Sequence, residues 1–157
     1  MTNPYEAPKS EIGDTHHEEI APRLWHPGAA ASLSLFFTPV FGAYIHMKNW
    51  HALGEHAKAA NSQNWAVASL AFFLLFPLMP LLVDSKDLEP IFRLSAIILL
   101  FTWYFICAKR QMSYIQLKFG NAYPRKGWLI PILIAIGGMA VYVALVTAGI
   151  FVIMSIS

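Results

Sequence analysis

Residues 128–154 read WLIPILIAIGGMAVYVALVTAGIFVIM, a run of 27 positions with no charged side chain. About 20 apolar residues cross a bilayer as a helix. This run therefore predicts a membrane span of roughly 40 Å, which must tilt or begin among the headgroups. Three more apolar runs precede it: GAAASLSLFFTPVFGAYIHM at 28–47, WAVASLAFFLLFPLMPLLV at 65–83 and IFRLSAIILLFTWYFICA at 91–108. At 1.5 Å per residue each is about 27–30 Å long, the thickness of the hydrocarbon core. Trp25, Trp50, Trp65 and Trp128 sit near the ends of these runs, where an amphipathic ring prefers the interface. The expectation is an all-α polytopic membrane protein. Four transmembrane helices form two helical hairpins over 27–157, after a polar, disordered tail at 1–26.

Composition agrees. Of 157 residues 57% are apolar and 13% charged, against about 25% charged in ordinary soluble domains. That excludes a disordered chain and argues against a soluble enzyme. A net charge of +2 is too small to suggest nucleic acid. One cysteine excludes an internal disulfide framework and a Cys-rich zinc site.

The punctuation between the runs predicts local structure. Gly54 and Gly120 suit helix C-terminal caps. Met112, Ile115 and Phe119 fall on one helical face, which carries the third helix past the membrane. Pro77 and Pro80 should kink the second span, Pro90 suits the first turn of the third, and Pro124 is expected to open the fourth helix. Basic residues mark the cytoplasmic side. The connections 48–64 and 109–127 hold seven Lys and Arg, and the rest of the chain holds four. Both connections are thus expected in the cytoplasm and both termini outside.

Few residues promise chemistry. His46, His51 and His56 are five apart, so on one helix they point in different directions, and HALGEH misses the HExxH zinc pattern. They read as interfacial histidines. Cys107 has no partner cysteine and reads as a small buried residue. No metal or other cofactor is expected. Arg93 is the only charged residue within the four runs and lies near an end, where it can snorkel. No midplane carboxylate argues for ion-coupled transport.

Two stripes of small residues are more informative. Ala30, Ser34, Thr38, Gly42 and His46 repeat every four positions in the first run. Ala140, Ala144 and Ala148 do so in the last, with Gly137 one turn earlier. Small side chains let helices approach closely in lipid. These stripes serve either packing inside the bundle or docking of a partner. The basic stretch around Lys109, Arg110, Lys118, Arg125 and Lys126 is a candidate contact for anionic lipid, each residue contributing about 1 kcal/mol.

The opening NPYEAP, Asn3 to Pro8, resembles the Asn-Pro-Tyr-x-x-Pro start of uncharacterised small bacterial multi-pass inner-membrane proteins. Asn49, Trp50, Leu53 and Gly54 are similar to their Asn-Trp-x-x-Leu-Gly turn. The resemblance implies a bacterial cytoplasmic membrane and brings no catalytic residue. The functional expectation is a non-enzymatic interaction protein, either an accessory subunit or an immunity or inhibitor protein acting on a membrane partner. The alternatives are a homo-oligomeric channel or transporter subunit along Ser34, Thr38 and His46, and an enzyme using His51, Glu55 and His56.

Overall fold

The computed structural model describes residues 21–77 and 88–156, and among them the regular structure is entirely helical. The helices are α1 (Pro27–Ala52), α2 (His56–Leu75), α3 (Leu88–Trp103), α4 (Lys109–Phe119) and α5 (Leu129–Ile156). A π-helical turn, Tyr104–Ala108, joins α3 to α4 without a break in direction. Three helices are long and apolar enough to cross a membrane: Pro27–Ala52, Pro90–Phe119 and Leu129–Val152.

The first of these does not run straight. A straight α-helix would hold Pro27 and His46 about 28 Å apart, yet His46 Nε2 lies 3.2 Å from the Pro27 carbonyl oxygen. Asn49 likewise exchanges two hydrogen bonds with the Trp25 backbone, at 3.0 and 2.8 Å. The reversal is at Phe37 (φ −107°, ψ 15°) and Thr38 (φ 69°, ψ 162°). Its cause is local. Proline disfavours helical backbone in the residue before it and has no N–H to give the preceding turn, so Pro39 restarts the helix instead of continuing it. The segment expected to span at 28–47 is therefore a hairpin of two short arms, 27–36 and 39–52. Small residues let the arms close on each other. Ala30 packs with Phe41 and Ile45, and Gly42 faces the Ser34 hydroxyl across the hairpin.

The other helices stack around this hairpin. α2 packs mainly on α1, through a face on which Ala59, Ser62 and Ser69 are buried. Residues three and seven apart share a helix face, so this edge is small throughout. Trp103, Cys107, Gln111 and Ile115, spaced by four, are the buried edge of the long third helix. Trp103, Cys107 and Ala108 join Ala31 and Ala43 in one core cluster. α2 and α3 run antiparallel, with Phe92 stacked on Phe72 at 5.7 Å and 4.5 Å from Phe76. α2 ends at Leu75, before Pro77. The expected kink at Pro80 and the rest of the 65–83 run lie outside the described residues.

The glycine turns are as expected. Gly54 (φ 74°) and Gly120 (φ 57°) follow α1 and α4 in backbone that a side chain disfavours. Two other expectations are corrected. Residues 21–26 are not a free tail. Leu24 is fully buried, its N–H donates to the Pro124 carbonyl at 3.0 Å, and its own carbonyl accepts from Lys126 N–H at 2.9 Å. Pro124 accordingly does not start a helix, because residues 124–126 are extended against Leu24. The start of the described chain thus lies at the same end of the fold as the turns after α1 and α4, not at the opposite end. Residues 1–20, including NPYEAP, lie outside the described residues.

Candidate functional site

The foot of the hairpin is polar and buried. His46, Asn49 and Gln111 are each fully shielded from solvent. Asn49 Nδ2 donates to the Trp25 carbonyl at 2.8 Å and to Gln111 Oε1 at 3.3 Å. Gln111 Nε2 donates to the His46 carbonyl at 2.8 Å. Trp25 Nε1 donates to the Gly127 carbonyl at 2.9 Å, and the Lys126 ammonium lies 4.2 Å from the Trp25 ring centre. Asn49 thereby clasps the incoming chain, α1 and α4 together. A primary amide is suited to this, since it offers donors and an acceptor at once. Burial, with Arg23 and Lys48 nearby, holds the Lys126 ammonium below its ordinary pKa.

The first small-residue stripe is consumed by this internal packing. Ala30 and Ser34 are buried, and the Ser34 hydroxyl donates to the Ala30 carbonyl at 2.9 Å. Gly42 has no room for a side chain, because a Cβ there would collide with Ser34 Oγ and the edge of the Trp103 indole. His46 meets the same indole edge-on at 5.5 Å. Thr38 sits at the reversal. Of the two expected uses of this stripe, packing within the fold is the one seen: Ala30, Ser34 and Gly42 line the inside of the hairpin, and Thr38 shapes its tip.

The second stripe is the opposite case. Gly137, Ala140, Ala144 and Ala148 are all exposed. None of the most apolar window of α5 is buried by the rest of the chain. α5 is tied down at one end by Trp128 against Phe41, at 6.5 Å, and midway by the Tyr142 hydroxyl donating to the Phe73 carbonyl at 3.0 Å. Between the hairpin tip and α5 runs a groove of about 520 Å³, lined by Phe37, Ile136, Met139, Ala140, Val143 and Ala144. Every lining side chain is apolar.

The basic residues lie toward the clasped end. Lys109, Arg110, Lys118 and Arg125 are exposed and Lys126 is half-buried. Lys109 and Lys118 rest over aromatic rings, 6.0 Å from Phe105 and 5.5 Å from Phe119. Here too Glu55 accepts from the Tyr114 hydroxyl at 2.8 Å and pairs with Lys58 at 3.1 Å. The tyrosine bond, then Lys58, holds the Glu55 carboxyl below its ordinary range.

The expected interfacial histidines separate. His46 is in the core, while His51 and His56 are exposed and brought to 5.8 Å by the Gly54 turn. Among the described residues no three His, Cys, Asp or Glu side chains are placed to hold a metal ion. Cys107 is buried, as expected, and accepts from Asn61 at 3.5 Å. Sequence reasoning missed Trp103, Asn49 and Gln111. A usable signal existed for the last, since Gln111 lies four residues before Ile115 on the face the apolar spacing had marked. Comparisons with protein-family models, curated proteins and solved structures find no match for the chain.

Proposed function

We propose that the protein is a non-enzymatic interaction protein of a bacterial inner membrane, whose exposed helix α5 docks a transmembrane helix of a partner. In this reading α2, the α3–α4 rod and α5 cross the bilayer, and α1 is a re-entrant hairpin that turns back at membrane depth. Irregular backbone is tolerated at that depth where protein covers it; α2, α3 and α5 pack against the hairpin, while Leu35 and Phe36 beside the reversal are exposed. Charge supports one orientation. Among the described residues, eight of the nine Lys and Arg lie toward the clasped end, and Arg93 lies toward the other. That asymmetry supports a cytoplasmic position for the clasped end and the segment 21–26 that is held there.

The observation carrying the docking role is the contrast between the two stripes. One is filled by the protein's own hairpin. The other, on α5, is unfilled and borders the apolar groove under Phe37. Association in lipid relies on close packing of small residues. An accessory subunit or an immunity or inhibitor protein fits such a surface. Pore formation along Ser34, Thr38 and His46 draws less support, because Ser34 and His46 face inward.

The test is partner capture from source membranes with Ala144→Leu and Ala148→Leu. Overpacking a fitted contact costs about 1–3 kcal/mol, so capture is expected to weaken about tenfold or more. Insertion and folding should be unchanged, because neither side chain touches the rest of the chain closely enough to be buried. Undiminished capture by both variants would remove the α5 face from the account.

A further inference from the structure

At the clasped end an ammonium group already sits in an aromatic cage. Lys58 Nζ lies 4.3 Å from the Tyr114 ring centre, 5.0 Å from the Trp50 ring centre and 3.1 Å from Glu55 Oε2. Two π faces and a carboxylate converging on one point are the chemistry that recognises an alkylammonium ion. We propose that Trp50, Tyr114 and Glu55 form a binding site for an alkylammonium ligand, in which the protein's own Lys58 is a displaceable occupant. Ethanolamine and choline groups belong to that class, whether free or as lipid headgroups.

Two features separate a site from a simple staple. The walls are held without help from Lys58. Trp50 is 4% exposed and meets Tyr114 edge-on at 5.0 Å, and the Tyr114 hydroxyl is bonded to Glu55 at 2.8 Å. The walls come from the end of α1, the Gly54 turn and α4, so they are fixed by the fold and not by one helix. The occupant, in contrast, is loose. The Lys58 side chain is 45% exposed on the first turns of α2 and can swing into water on its flexible stem. Removing it would leave a preorganised cage facing outward. The site does not depend on the docking role of α5, which lies on a different surface.

The experiment uses the full chain in nanodiscs of phosphatidylglycerol alone, comparing wild type with Lys58→Ala and Lys58→Met. Methionine keeps much of the lysine stem, and so guards against loss of packing. Tetramethylammonium and ethanolamine are titrated by calorimetry, with Trp50→Phe identifying the fluorescence of the cage tryptophan. The expected result is binding at least tenfold tighter in both Lys58 variants than in wild type, abolished by adding Tyr114→Ala or Glu55→Gln. If phosphatidylethanolamine in the disc competes with soluble amine, the ligand is a headgroup. If it does not, the ligand is a soluble amine. Lys58 variants that keep the wild-type melting midpoint and bind neither amine more tightly than wild type would overturn the proposal and leave the cluster a structural staple.

Discussion

Replacing Trp103 by alanine is expected to cost about 3–5 kcal/mol of stability, the usual price of emptying a large aromatic from a core. Trp103 is the largest of the fully buried side chains among the described residues and lies where three elements meet. Its ring edge closes on Gly42 in the hairpin and on His46, and its cluster includes Ala31, Ala43, Cys107 and Ala108. The buried neighbours Ala31, Ala43 and Ala108 are too small to refill the volume. A second variant shows whether this packing is the reason. Gly42→Ala should itself cost about 1–3 kcal/mol, since its Cβ has no space. The Ser34 hydroxyl can rotate away, but the buried indole cannot. In the Trp103→Ala background the new methyl enters the vacated volume, so the double variant should lose clearly less than the two single losses together. Thermal or denaturant midpoints in detergent read all three. Strictly additive losses would mean that residues 42 and 103 do not meet.

Asn49→Leu is expected to open the clasp, at about 2–3 kcal/mol. The amide bridges Trp25 N–H, the Trp25 carbonyl and Gln111. Leucine is near enough in volume to leave the packing alone, so the loss reports the polar groups left without partners, each costing about 1–3 kcal/mol when buried. Trp25 is only half-buried, which lets water recover part of that. The local consequence should be larger than the global one. Hydrogen exchange at Leu24 and Trp25, and proteolysis within 21–26, should accelerate well before the bundle unfolds. Exchange there at the wild-type rate would mean that pairing of Leu24 with 124–126 suffices to hold the segment.

How much of this was legible in the sequence depends on range. The apolar run 128–154, the glycine caps at Gly54 and Gly120, and the helical edge through Ile115 are local signals, and each appears in the structure at or within a residue or two of its expected place. The reversal within α1 was not read, although its cause is written in Thr38–Pro39. A proline within an apolar run also occurs in kinked spanning helices, and composition cannot separate a kink from a reversal. What decides is whether the two arms find each other, and that rests on Ala30, Ser34 and Gly42 meeting across the turn. The stripe was visible and internal packing was one of its two expected uses, but a repeat of four along one rod does not show that its two halves pack on each other. Asn49 and Trp25 are 24 positions apart, and no spacing rule links them. Orientation depends on the same helix: counting α1 as a span puts the N-terminus opposite the basic connections, and the re-entrant reading proposed above puts it on their side.

The central claim is that α1 re-enters, so that the chain crosses the membrane three times and not four. Single cysteines at Arg23, Ser113 and Ser155, all exposed positions, placed one at a time in a Cys107→Ala background, test it by labelling with a membrane-impermeant maleimide in intact cells and in opened membranes. The account expects Arg23→Cys and Ser113→Cys to be protected in intact cells and Ser155→Cys to label from outside. Arg23→Cys and Ser155→Cys labelling from the same side would require an even number of crossings, and the re-entrant hairpin would be wrong.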